Sequence, residues 1–166
     1  MNDSSFKNCH GIDEDNHFTS SYDIALMAKE LLQNHPEITK YTTIWMDSLR
    51  NGQSELVNTN KLIRTYSGAT GLKTGSTSLA LYNLAASATR NDLNLIAVVL
   101  RAPTPKIRFS EAKLLLDYGF NNYSFKTFAS QGESMGNVSV QKGVLDQVNA
   151  IYETSPSFLV EKNKES

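Results

Sequence analysis

The sequence predicts an α/β fold of the α+β kind, an antiparallel sheet flanked by helices and followed by the opening strands of a small β module. Three observations predict it. A capped stretch from Ser21 repeats apolar residues at helical spacing; two apolar runs meet at Asn91-Asp92 and lead into a second helical pattern from Pro105; and beyond Phe120 the apolar period falls to two.

In chain order, Ser20 or Ser21 can cap the first helix and Asp23 complements its N-terminal dipole. Ile24, Met27, Ala28 and Leu31 line one face until about Asn34, where His35-Pro36 stops the helix. KYTTIWMDSLRNGQSELVNTNKLI then mixes β-branched and aromatic residues around Asn51-Gly52, which predicts two short strands and a tight turn. YNLAASATRNDLNLIAVVLRA predicts a central antiparallel hairpin turning at Asn91-Asp92, its second run nearly continuous in Val, Ile and Leu. Pro105 opens the next helix, with Phe109, Ala112 and Leu116 on one face, Leu115 beside them, and Gly119 where a helix C-terminal glycine belongs. NVSVQKGVLDQVNAIYE alternates through Val138 and Val140, breaks at Lys142-Gly143 and resumes at Val148, Ala150 and Tyr152, as an exposed antiparallel meander would. The polar tail VEKNKES reads as frayed. These patterns divide the chain into residues 1–121 and 122–166, the second too short to bury much surface alone.

At 166 residues and 40 % hydrophobic, the chain can bury a real core. With 16 basic against 17 acidic residues and no basic cluster, nucleic acid and anionic membrane surfaces are poor partners. No apolar run approaches the roughly 18 residues that span a bilayer, and MNDSSFKNCHG has no leader character, so as written the chain reads as neither exported nor anchored. A lone Cys9 excludes an internal disulfide and any CxxC site, and reads as a small, half-buried apolar residue.

The chemistry concentrates in SGATGLKTGSTSLALYN, residues 67–83. A phosphate loop needs glycine directly before its lysine, and Leu72 stands there instead. That leaves a Lys-Thr-Gly triplet on a strand or a plain Gly-rich turn. On a strand edge, Lys73 supplies a cation near a nucleophile, the Thr74 hydroxyl can hold a carboxylate, and Gly75 lets a peptide backbone approach as an added strand. KTG is one of three elements of penicillin-handling serine acyl-enzymes, beside SxxK and a Ser-Asn type loop. His10, His17 and His35 lie in turns or helix ends and read as turn or surface groups. DEDNH, from Asp13, alternates acids like a calcium loop, but His17 and Phe18 stand where the third ligand and the glycine belong, so no metal is expected.

The ordered series formed by the His10-Gly11 turn, the capped helix, Lys73-Thr74-Gly75, Tyr82-Asn83 and Arg108 resembles the D-alanyl-D-alanine carboxypeptidases of bacterial cell walls, the low-molecular-mass penicillin-binding proteins. The resemblance runs from residue 2 to about 123, and the meander resembles the start of the family's C-terminal β domain. It implies a β-lactamase/transpeptidase-like sheet and no cofactor. It implies that Lys73 tunes the active site, that Thr74, Gly75 and Ser76 bind substrate, and that Arg108 orients the terminal carboxylate of a peptidoglycan stem peptide or a β-lactam. The parent would be an extracytoplasmic, cell-envelope hydrolase that removes terminal D-Ala through an acyl-enzyme.

The family's serine nucleophile and lysine base, and its Ser-x-Asn loop, are absent from their places. SxxK strings at Ser4 to Lys7 and Ser110 to Lys113 stand elsewhere, and no Ser-x-Asn string occurs. The resemblance therefore implies a chain beginning partway into the family's domain and catalytically inert alone, with an uncovered sheet that invites homodimerisation. A non-enzymatic module that binds peptidoglycan or protein is the alternative; a β-lactamase relative fits less well, because the trailing meander matches the carboxypeptidases' extra domain.

Overall fold

The computed structural model describes residues 1–164, so the last two residues of the tail, Glu165 and Ser166, lie outside the described residues. The chain divides into two compact units, Met1–Phe120 and Asn121 onward.

In the first unit, α1 (Ser21–Asn34) begins where the Ser20 hydroxyl accepts the Asp23 N–H at 3.1 Å and ends at His35. A 3-10 turn (Pro36–Ile38) and the one-turn helix α2 (Thr39–Thr42) follow. The predicted hairpin is β1 (Met46–Leu49) and β2 (Ser54–Val57), turning through Arg50, Asn51 and Gly52, all at positive φ. Neither α2 nor α3 (Leu62–Thr65) was expected from this β-rich stretch. The cause of α3 is local: Asn58 Oδ1 accepts the Asn60 N–H at 2.9 Å and Asn60 Oδ1 accepts the Leu62 N–H at 3.2 Å, turning the chain away from the ladder.

The sheet follows, β3 (Ala69–Thr77), β4 (Leu81–Arg90) and β5 (Leu93–Ala102), antiparallel in that spatial order. Asn91 and Asp92, both at positive φ, make the two-residue turn whose twist suits such strands. Leu84, Ala86 and Ala88, with their partners Ala97 and Leu95, share one face. That face receives α4 (Pro105–Asn122), whose Phe109, Ala112 and Leu116 are buried as predicted. Leu62, Leu84 and Leu116 are each at most 1 % exposed, and burying such a side chain contributes about 2 kcal/mol. On the opposite face, α1 lies along β5 and reaches β4.

The helix cap expected at Gly119 is absent. Gly119 does not end the helix; α4 runs through it to Asn122, and a Cβ on Gly119 would collide with Leu95 Cδ1. The glycine serves close helix-to-sheet approach rather than a cap.

The second unit contains β6 (Tyr123–Thr127), β7 (Ser134–Ser139), β8 (Gln147–Ile151) and β9 (Ser157–Glu161), followed by a 3-10 turn (Lys162–Lys164). It is not a meander: β6 pairs with β9 and β7 with β8, so one hairpin is nested in another. The ladder continues between them, with Phe128 N–H donating to Pro156 O and Tyr152 N–H to Glu133 O, each at 3.0 Å. Alternation alone cannot tell a nested ribbon from a meander, because both keep period two. Phe128 packs edge-on against Phe158, and among the unit's described residues only Ala129 is buried.

Candidate functional site

Lys73, Thr74 and Gly75 fall in the second half of β3, at one edge of the sheet. The first half of that edge is occupied: the Thr42 hydroxyl donates to Thr70 O at 2.5 Å and Asn60 Nδ2 to Gly71 O at 2.9 Å. A Cβ on Gly71 would lie 2.8 Å from Thr42 Oγ1, so a side chain there would force the covering segment away.

Register decides where each triplet side chain goes. Thr74 pairs with Leu84 and shares its buried, α4-facing side; Lys73 pairs with Ala85 and stands exposed on the other side. The Lys73 ammonium donates to the Thr74 carbonyl oxygen, and the Thr74 and Thr59 hydroxyls share a hydrogen bond of 2.6 Å. Ser76 is exposed one residue beyond Gly75.

Arg108 enters from the first turn of α4. It is 7 % exposed, and its Nη1 donates to Gly75 O at 3.3 Å and to Asn83 O at 3.1 Å, the carbonyls of register partners. The guanidinium lies 4.7 Å from the Phe109 ring centre and 5.7 Å from that of Tyr82. Its Nε is buried and has no partner among the described residues. Burial pushes the guanidinium below its ordinary pKa, yet an arginine keeps its charge in a protein. Asn83 stands at a register break between β4 and β5, where its Oδ1 accepts the Arg101 N–H at 2.8 Å, so the Tyr82-Asn83 pair shapes the strand end beside Arg108.

Lys73, Thr74, Gly75, Ser76 and Arg108 line one cavity of about 670 Å³, together with Thr59, Thr77 and Tyr82. The opposite wall is the loop 5–18. Ser5 and Phe18 exchange backbone hydrogen bonds at its neck, His17 Nδ1 accepts the Lys7 N–H, and His10 Nδ1 accepts the Ile12 N–H. His35 instead meets Glu37 at 3.5 Å, outside this wall. Cys9 is exposed on the wall, not half-buried: the loop is held by polar hydrogen bonds around Asn8, and its apolar side chains Phe6 and Ile12 are exposed as well rather than gathered over the thiol. Asp13 accepts from the Thr77 hydroxyl at 2.6 Å and Glu14 from Asn8 at 3.2 Å, so two of the acids of DEDNH are engaged in holding the loop. A second, more apolar groove of about 1380 Å³ runs along α1 past Leu72, Leu84, Ala85 and Leu100.

The SxxK serines are engaged elsewhere. Ser4 Oγ donates to Asp23 Oδ2 at 2.6 Å, and Ser110 Oγ to Ile107 O at 3.0 Å on α4. A third such string, Ser139 to Lys142, which the sequence reading missed, spans the end of β7 and its turn. None of these serines lines the cavity.

Two residues of the site escaped sequence reasoning. Thr59 partners Thr74, and Asn60, 1 % exposed, fixes the strand upstream of the triplet. Their signal was the polar run Asn58-Thr59-Asn60 ahead of Leu62, a turn signature set inside a β-like stretch.

The D-alanyl-D-alanine carboxypeptidase family, Peptidase S11, matches residues 1–104. The D-alanyl-D-alanine carboxypeptidase DacF of Bacillus subtilis is 38 % identical over 99 % of this chain and 43 % of its own length, and DacC of Escherichia coli is 33 % identical over 92 % and 43 %. Penicillin binding protein 5 from Haemophilus influenzae superposes with a TM-score of 0.74 at 30 % identity, covering 98 % of this chain and 47 % of that structure. Penicillin-Binding Protein D2 from Listeria monocytogenes, in its cefotaxime-bound form, superposes at 0.66 with 31 % identity, over 70 % of this chain and 48 % of its own. The chain thus spans less than half the length of these relatives.

Proposed function

This chain belongs to the D-alanyl-D-alanine carboxypeptidase family, and from that premise we propose that it forms the wall of such an enzyme's active site that receives the terminal carboxylate of a peptidoglycan stem peptide. A β-lactam carboxylate would occupy the same place. The observation that carries this reading is the convergence of the Thr74 hydroxyl and the buried Arg108 guanidinium on one cavity beside an edge strand. Thr74 and Ser76 donate to the carboxylate, Gly75 lets the peptide backbone approach as an added strand, and Arg108 holds the Gly75 and Asn83 carbonyls in place while lending its charge. Lys73 supplies the cation beside the reacting centre.

Removal of terminal D-Ala through an acyl-enzyme needs a serine with a base in reach, beside donors for the oxyanion. None of the three SxxK serines, Ser4, Ser110 and Ser139, lines the cavity, so on this reading the chain by itself binds and does not cleave. The working protein acts on peptidoglycan and therefore outside the cytoplasm; no helix among the described residues is long and apolar enough to cross a membrane. The apolar groove beside α1, together with the outer edge of β5, favours association of two copies.

Fluorescent-penicillin labelling tests the catalytic part. The expected result is no covalent label on this chain while a full-length relative is labelled; a label on any serine of this chain overturns it. The same cavity would also suit a non-enzymatic peptidoglycan-binding module. Unchanged binding of a D-Ala-D-Ala peptide after Thr74→Val would remove the carboxylate reading in both forms.

A further inference from the structure

The loop 5–18 and the edge of β3 face each other across the cavity, and each is held at its ends. At one end is the neck, where Ser5 N–H donates to Phe18 O at 2.8 Å and Phe18 N–H to Ser5 O at 3.0 Å. At the other end a single carboxylate bridges the gap: Asp13 Oδ1 accepts from the Thr77 hydroxyl at 2.6 Å, and Asp13 Oδ2 from the Leu79 N–H at 3.4 Å. The Thr77 oxygen in turn accepts the Ala80 N–H at 2.9 Å, so the bridge reaches the whole turn from β3 to β4.

Between these ends the loop supports itself. Asn8 Nδ2 donates to Ile12 O at 3.0 Å and to Glu14 Oε2 at 3.2 Å, while Asn8 Oδ1 accepts the Gly11 N–H at 2.8 Å. A loop whose ends lie close together and whose interior is held by its own side chains is a compact unit. Its distance from Lys73–Thr77 is then set by its two attachments, and among the described residues Asp13 is the one that hydrogen-bonds it to the strand that carries the triplet.

We propose that Asp13 is a positioning residue: by clasping the loop to Thr77 it fixes the width of the slot between loop and strand, and with it the affinity for an extended peptide ending in a carboxylate. The proposal rests on the reading of the slot given above. A carboxylate suits the task because its two oxygens accept from a side chain and a backbone group together, and the hydrogen bond to an ionised acceptor is stronger than a neutral one. No local pattern points to this contact, since 64 residues separate Asp13 from Thr77.

The test uses the 166-residue chain, amide hydrogen exchange, and titration with a diacetylated L-Lys-D-Ala-D-Ala tripeptide. With Asp13→Ala, amides of residues 73–77 exchange faster while those of Ala86 and Ala97 keep their protection, and tripeptide affinity falls roughly tenfold, the size of one lost hydrogen bond. Asp13→Asn, which still accepts from Thr77, falls between Ala and wild type. Thr77→Val matches Asp13→Ala, and the double variant is no worse than either alone. Unchanged exchange at 73–77, faster exchange throughout the sheet, or a loosened strand with undiminished affinity each overturns the proposal. Failure of the wild type to bind, or equal binding by Thr74→Val, instead overturns the reading of the slot; the exchange pattern then still decides whether Asp13 holds the strand.

Discussion

Replacing Arg108 with alanine separates its structural work from its ligand work. The change removes two hydrogen bonds to carbonyl oxygens, at 3.3 and 3.1 Å, and a ring contact with Phe109 at 4.7 Å. At about 1 kcal/mol per hydrogen bond and about 0.5 kcal/mol for the stacked cation, the gross loss is about 2.5 kcal/mol. Releasing a charge that burial disfavours returns a part of it, so the net destabilisation is about 2 kcal/mol. For a unit of this size that corresponds to a fall in melting temperature of about 8 °C. Trp45, the single tryptophan, lies in the first unit, so its fluorescence follows that unit's unfolding alone. Arg108→Lys keeps the charge but loses the planar guanidinium face against Phe109 and the reach of Nη1, whose two N–H groups serve both carbonyls, and recovers less than half of the loss. Melting of Arg108→Ala within about 2 °C of wild type, or a lysine variant equal to wild type, would refute the anchoring argument.

Burial, and next the hydrogen bond to Asp117 at 2.6 Å, push the Tyr66 phenol up to about 12. Because the folded value lies above the unfolded one near 10, the stabilisation is present below pH 10 and is lost between pH 10 and 12; phenolate absorbance should show a titration step near pH 12, and Tyr66→Phe should remove that step. The Ser4 hydroxyl, and after it the Asp3 N–H, hold the Asp23 carboxyl below its ordinary value. Its contribution is therefore present above the unfolded value of 3.8 and lost as pH falls through the lower folded one, so Ser4→Ala should start acid unfolding at higher pH, seen by circular dichroism. Gly68 has φ +79°, and a Cβ there would collide with the Thr89 carbonyl oxygen, so Gly68→Ala should cost about 3 kcal/mol in denaturant unfolding.

What the sequence disclosed and what it withheld divide along the range of the interactions. The cap at Ser20, the turn at Asn91-Asp92 and the buried stripe of α4 each depend on residues within a turn or two, and each stands where the pattern put it. Gly119 was misread for the same reason: the local rule says cap, and what overrides it is Leu95 on another element. The nested pairing of β6 with β9 likewise needs a partner 30 to 38 residues away, which period-two alternation cannot name.

The site repeats this division at the level of single side chains. Lys73, Thr74 and Gly75 stood out as candidates because their residue types suit alternate sides of one strand with a gap for a neighbouring backbone; the resemblance chose the strand over a plain turn, and the triplet does lie on β3. Arg108 could be named only through the resemblance, because an arginine in the first turn of a helix opposes the dipole and reads as a solvated charge. Its burial follows from the Gly75 and Asn83 carbonyls, 33 and 25 residues away, which need a donor able to span both. Thr59 and Asn60 had no such claim: small polar residues are common, and only the closing of α3 against β3 converts them into partners for Thr74 and Gly71. A strand at the edge of a sheet, with no further strand beyond it, is held from outside by side chains such as these, so the holding residues fall in other segments and carry no spacing of their own.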